Sequence, residues 1–220
     1  CVIGSSTRIG SGARIGNDVK IFHGASIAMI PQDLKFGGES TELRVGDRTV
    51  IREFTTLNRG TRELGYSAVG SDCLIMAYAH VAHDCVLGDR VIVANAVQLG
   101  GHVHIGDWAI LGGAVVVHQF SLIGEHAMIG GGFRVTQDVP PYAVVAGYPA
   151  RVVSVNRVGL ERRGFKKEQL DALSRAFRLL YRSKFNTKQA IAKLREDGPH
   201  TDEVKRLLAF YDQSERGVMR

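Results

Sequence analysis

Counting in sixes from Val69 finds a branched aliphatic residue at every first position until proline breaks the run: Val69, Ile75, Val81, Leu87, Val93, Leu99, Ile105, Leu111, Val117, Ile123, Ile129, Val135, then Pro141. The same phase runs through Ile3, Ile9, Ile15, Ile21 and Ile27 and returns at Val45 and Ile51. A period of six is neither the 3.6 of a helix nor the 2 of an extended strand. It belongs to a parallel β-helix, in which each hexad is a short strand plus a corner and three hexads close one triangular coil of about 18 residues. Position one fills the interior of the prism. Position five, small or β-branched from Cys73 to Val115, points inward as well. Position two is mostly Gly or Ala, which sets it near the corner, where a positive φ is expected and glycine adopts it freely. A sandwich of short strands has no reason to keep strict sixes.

Residues 18 apart then share a column, with coils stacked at about 4.8 Å. At outward position six, Leu74, Ile92, Ile110 and Met128 form an apolar column. Such a stripe requires a cover. A second copy of the prism, closed by three-fold symmetry, is the expected one, and the C-terminal helices are the alternative. Two stretches interrupt the count, near 28–44 and 59–68, and insertions in solenoids become surface loops. Cys1 falls inside the repeating pattern, so further coils are expected ahead of it.

Charge divides the chain of 220 residues. Residues 1–150 carry 11 Lys+Arg against 13 Asp+Glu, a net −2, and residues 151–220 carry 17 against 9, a net +8. Glycine, 26 in all, thins out after Gly147. A boundary is placed near Arg151, separating a β-helix over 1–150 from an α-helical domain over 151–220. Leu170, Leu173, Phe177 and Leu180 keep helical spacing. Ile191 with Leu194, and Val204 with Leu207, Leu208 and Tyr211, extend the same pattern, with Asn186 or Thr187 and Thr201 as N-caps. No apolar run is long enough to span a bilayer. The three cysteines, Cys1, Cys73 and Cys85, form no CxxC, which suits a reduced, cytoplasmic compartment. The basic tail lacks an aromatic-interleaved platform or recognition motif, so nucleic acid is not the expected partner.

A β-helix demands small or aliphatic side chains, so histidines stand out. His80, His83, His102, His104 and His118 lie within 39 residues. His83 and Asp84 occupy positions three and four of one hexad, outside the prism. One column reads His83–Gly101–Gln119 and its neighbour Asp84–His102–Phe120, so the set converges on one edge within two coils. One imidazole oriented by a carboxylate could act as a general base, with a glycine N–H beside it for an oxyanion. Three imidazoles could instead bind zinc, or the histidines could fill an interface. No G-x-S-x-G, P-loop or dinucleotide fingerprint stands in a suitable context. Cys73 and Cys85, at inward position five, read as core rather than nucleophiles.

Several stretches carry a resemblance: Gln32-Asp33-Leu34-Lys35, Ala79-His80-Val81-Ala82-His83-Asp84-Cys85, Gly101-His102, Val117-His118-Gln119-Phe120, Gln137-Asp138-Val139-Pro140-Pro141-Tyr142 and Gly159-Leu160-Glu161-Arg162-Arg163-Gly164-Phe165. Together they resemble the acyl-[acyl-carrier-protein]–UDP-N-acetylglucosamine O-acyltransferases, from Ile3 to Arg220. The resemblance implies a left-handed parallel β-helix of hexapeptide repeats with a C-terminal α-helical domain, assembled as a homotrimer. It implies acyl transfer from acyl carrier protein to the 3-hydroxyl of UDP-N-acetylglucosamine, the first step of lipid A biosynthesis, with no metal, no cofactor and no covalent enzyme intermediate. His83 would be the general base, Asp84 its carboxylate and Gly101 N–H the oxyanion donor. His80, His102, His118 and Gln119 would line the sugar and acyl site, and Asp33 and Lys35 would reach substrate across a subunit boundary. Asn156, Arg162 and Arg163 would hold the nucleotide, and Gly131 would limit acyl depth. Val158 stands where members often carry Glu, and Pro149 is a second departure, at the acyl end. A related N-acyltransferase or a CoA-dependent acetyltransferase is the nearest alternative, and the Arg162-Arg163-Gly164-Phe165 stretch argues against both. A zinc hydratase on the same fold would need a His-x4-His pair that is absent, and a scaffolding trimer would have no use for the His83–Asp84–Gly101 alignment.

Overall fold

The computed structural model describes residues 1–220. Its short strands form three sheets of nine, seven and six strands, the faces of a triangular prism. Pairing is parallel except between Ala143–Ala146 and Arg151–Val155. The 18-residue columns hold: Leu74 pairs with Ile92, Ile92 with Ile110 and Ile110 with Met128. The interruptions preserve phase, because Ile15 pairs with Val45, 30 residues on, and Val45 with Val69, 24 on. Both are narrower than expected, since Ser26–Met29, Glu42–Val45 and Tyr66–Val69 are strands.

Positions one and five are inside. Ile75, Val81, Val93, Ala79, Cys85 and Val97 are wholly buried within one cluster of 48 core residues. Each large aliphatic side chain so buried contributes roughly 1.5–3 kcal/mol.

The corner differs from expectation. Positive φ belongs to position four, not position two. From Asp72 through His126, every position-four residue lies between +56° and +62°. These residues include Tyr78, Asp84, Arg90, His102, Trp108 and Phe120. Glycine at position two has another cause: the next coil passes too close for a Cβ. One built on Gly106 would sit 2.5 Å from Glu125 N, and one on Gly112 would sit 2.5 Å from Gly131 N.

The boundary expected near Arg151 falls on a strand. Arg151–Val155 extends the nine-stranded sheet before any helix begins. Four helices follow: α1 (Arg157–Arg162), α2 (Lys167–Arg182), α3 (Thr187–Asp197) and α4 (Asp202–Gln213). Asn156, Asn186 and Thr201 cap α1, α3 and α4 by accepting from the first-turn N–H groups. In α2, Leu170, Leu173, Phe177 and Leu180 make the buried face, which packs on the Arg151–Val155 strand and on α3 and α4. The chain end then straps back across the prism. Asp138, 1% exposed, accepts from Leu122 N and Ser214 Oγ, and its carbonyl accepts from Met219 N. The apolar column stays partly open, with Met128 37% exposed. No helix is long and apolar enough to cross a membrane.

Candidate active site

His83 and Asp84 form the turn between strands His80–Val81 and Val86–Leu87. The left-handed conformation of Asp84 (φ 57°) folds its carboxylate back against the His83 ring. Nδ1 of His83 lies 2.9 Å from Asp84 Oδ2. Asp84 is not outside, as its hexad position implied, but wholly buried. Its cover comes from the second insertion: Thr61 N–H and Oγ1–H donate to its two oxygens at 2.9 and 2.7 Å. Burial raises the Asp84 carboxyl, but hydrogen bonds from His83 and Thr61 outweigh it and hold the group below the usual carboxylate range. An ionised Asp84 fixes the His83 proton on Nδ1 and leaves Nε2 as the free lone pair.

Gly101 stands one coil above. A Cβ there would lie 2.6 Å from His83 Cε1 and 2.7 Å from Nε2, so the imidazole occupies the space a side chain would take. No group in the chain accepts from Gly101 N–H. Gly101→Ala should therefore displace the ring and lower kcat by roughly 10²-fold, the cost of an ångström-scale misplacement. Thermal melting should stay near the parent value; an unaltered kcat would detach Gly101 from the site.

Around this pair, His102 stacks on Phe120 at 4.4 Å and meets the His83 ring edge-on at 5.1 Å. Its Nε2 lies 3.4 Å from Glu63 Oε2 and 3.7 Å from Asp84 Oδ2. His80 Nδ1 bonds Thr56 Oγ1 at 2.7 Å, and burial, then His83, lowers its pKa. His118 Nδ1 lies 2.8 Å from Arg216 Nη2, brought there by the C-terminal strap, and Gln119 is exposed beside it. One atom each from His83, Asp84 and His102 lies within 4.8 Å of the others, so these three are the residues that could hold a metal. Burial pushes the Cys73 thiol up to about 11 and Cys85 up to about 12, as befits core rather than nucleophile.

The remaining expected residues stand elsewhere on the prism. Asp33 and Lys35 lie in the first insertion, where Lys35 N donates to Asp33 Oδ1. That loop docks on the second insertion, Arg62 N donating to Glu39 Oε1 at 3.2 Å. Asn156 is 7% exposed with both amide ends engaged, accepting from Gly159 N and donating to His126 O. Arg162 is exposed. Arg163 reaches His126 Nδ1 at 2.9 Å and lies 5.0 Å from the Trp108 ring. Trp108 and His126 belong to the next edge, before strands Ile110–Leu111 and Met128–Ile129. Gly131 follows Met128–Ile129 on the third edge, where a Cβ would meet Gly113 O at 3.0 Å. His83, the residues expected to hold the nucleotide, and Gly131 thus occupy three different edges of one chain.

Sequence reasoning missed Thr61, Arg216, Trp108 and His126. Trp108 and His126 had a signal, an aromatic column at position four beneath the Arg162–Arg163 segment. Thr61 and Arg216 lie outside the hexads and had none.

Residues 67–101 match bacterial transferase hexapeptide repeats, and residues 138–219 match the family described as UDP N-acetylglucosamine O-acyltransferase, domain 2. The acyl-[acyl-carrier-protein]–UDP-N-acetylglucosamine O-acyltransferase of Myxococcus xanthus is 45% identical over 207 residues, covering 94% of this chain and 80% of that one. Its counterpart in Burkholderia lata is 44% identical over 211 residues, with the same coverage. Among solved structures, LpxA of Acinetobacter baumannii superposes with a TM-score of 0.92 at 39% identity, over 99% of this chain and 88% of that one. The Bacteroides fragilis LpxA gives 0.90 at 34%, over the whole of both chains. These likenesses span the left-handed β-helix, the His83 edge and the helical tail alike, and the chain is an acyltransferase that belongs to the UDP-N-acetylglucosamine O-acyltransferase family.

Proposed function

We propose that this acyltransferase moves a (3-hydroxy)acyl chain from acyl carrier protein to the 3-hydroxyl of UDP-N-acetylglucosamine, opening lipid A biosynthesis in the cytoplasm. The observation that carries the reading is His83, oriented by a buried Asp84 and packed against Gly101, whose N–H has no acceptor in the chain. His83 Nε2 takes the proton of the sugar hydroxyl as the oxygen attacks the thioester carbonyl. Gly101 N–H stabilises the oxyanion. The tetrahedral intermediate collapses, the C–S bond breaks, and the pantetheine thiolate leaves with the proton from His83. The acyl group passes directly from sulfur to oxygen, with no covalent enzyme intermediate and no cofactor beyond the donor's phosphopantetheine.

In this reading His80, His102, His118 and Gln119 surround the sugar and thioester. Arg162 and Arg163 take the diphosphate, Asn156 fixing the start of their helix. Gly131 ends the acyl groove, and Asp33 and Lys35 complete the site from a neighbouring copy. The three separated edges support a homotrimer, because only adjacent prisms can bring different edges together. The tail's net +8 attracts the acidic carrier protein.

The test is incubation with UDP-N-acetylglucosamine and a panel of acyl carrier protein thioesters, read by mass spectrometry. An O-acylated sugar nucleotide is expected. An amide product, or product from acetyl-CoA alone, would favour the related transferases instead. The His83–Asp84–His102 grouping also suits a zinc hydrolytic centre, so the assay includes dialysis against a chelator. Turnover should persist; loss restored by zinc would reject the metal-free mechanism.

A further inference from the structure

We infer that His126 is a positioning residue for Arg163, fixing its guanidinium in the pose that receives the nucleotide diphosphate; this rests on the assignment of Arg163 to the nucleotide. Arg163 Nη1 lies 2.9 Å from His126 Nδ1. A guanidinium only donates, so Nδ1 accepts and the imidazole carries its one proton on Nε2. An imidazolium would have no lone pair to offer and would repel the arginine.

The surroundings keep the ring neutral. It stacks with Tyr142 at 5.8 Å and Trp108 at 6.1 Å, and Phe165 meets it edge-on at 5.1 Å. Burial, then Arg163 and Arg206, lowers its pKa to about 4. Glu125, the neighbouring carboxylate, is engaged by Arg206 Nε at 2.9 Å and by the Tyr142 hydroxyl.

The consequence falls on the guanidinium. Nη1 is taken by His126, and the guanidinium lies over the Trp108 ring. Nε and Nη2 have no partner in the chain, and these two parallel donors are the edge that binds a phosphate in bidentate fashion. Burial disfavours the charge of Arg163, and no carboxylate of the chain pairs with it, a setting in which an anionic ligand would be the first counter-charge the guanidinium meets. His126 also accepts from Asn156 Nδ2 through its carbonyl at 2.9 Å, so one residue anchors the cap of α1 and the arginine beyond its last turn.

The test compares His126→Ala, His126→Asn, Arg163→Ala and the double alanine variant, with UDP-N-acetylglucosamine as the ligand in kinetics and calorimetry. Arg163→Ala should raise KM and Kd at least about tenfold, the worth of a lost charged hydrogen bond. His126→Ala should raise both roughly three- to tenfold, the cost of immobilising one long side chain, with kcat within about twofold of the parent. His126→Asn, which restores an acceptor oxygen, should recover most of the loss. The double variant should bind no worse than Arg163→Ala. Normal affinity in His126→Ala, or an Asn variant no better than Ala, would overturn the positioning role. Normal affinity in Arg163→Ala would remove the nucleotide assignment itself and the inference with it.

Discussion

A His83→Ala enzyme should lose between about 10² and 10⁴ in kcat, the range for a missing general base, while KM for the sugar nucleotide moves little. The separation follows from the layout: Asn156 and Arg163, proposed to hold the nucleotide, stand by His126 and Trp108 on another edge. Asp84→Asn should lose activity on the same scale. An amide can present an N–H where Nδ1–H now donates, and so turn the wrong nitrogen toward substrate. It would also weaken the two bonds from Thr61 and loosen the second insertion. Steady-state kinetics of both variants, with circular dichroism to confirm folding, decide the matter. A near-normal kcat in His83→Ala, or a defect confined to KM, would overturn the assignment.

In the proposed homotrimer, Ile110→Arg should dissociate the assembly. Ile110 lies in the middle of the Leu74–Ile92–Ile110–Met128 column, half-buried in the isolated chain. Placing a guanidinium against a second apolar column costs several kcal/mol per ion in effective desolvation. The single prism has no such difficulty, since the new side chain can reach water. Sedimentation should show folded monomer or aggregate, and activity should disappear with the trimer. An intact trimer would move the interface to another face.

How much was visible in the residues alone follows from which positions the fold constrains. Positions one and five must be buried and must fit, so their phase is written in Val69 through Val135 and the register follows. Position four is constrained only in its backbone. Asp, Tyr, Arg, His, Trp, Phe and Ala all occupy it, and a rule that looks for glycine at positive φ finds none of them. Glycine at position two was legible as a requirement but misread in cause, because coil-to-coil clearance is invisible without the stacked neighbour. The burial of Asp84 was hidden for a different reason: Thr61 arrives from an insertion that obeys no period. The helical tail was plain from Leu170, Leu173, Phe177 and Leu180, but Arg151–Val155 joined the sheet because an antiparallel strand can close a parallel stack without a hexad.

The left-handed corner has a bearing on how such a protein can change. A non-glycine residue held at positive φ costs about 1–2 kcal/mol, and the hexads from Asp72 to His126 carry one at every turn. The conformation is imposed by the stacked coils, so it persists whichever side chain is mounted there. Mutation at a corner therefore alters what is displayed without disturbing the hydrophobic interior, and mutation in the interior threatens folding without redrawing the display. Selection can act on the two almost independently, which makes the outer rungs of this prism a place where new specificity can be acquired while the fold stays as it is.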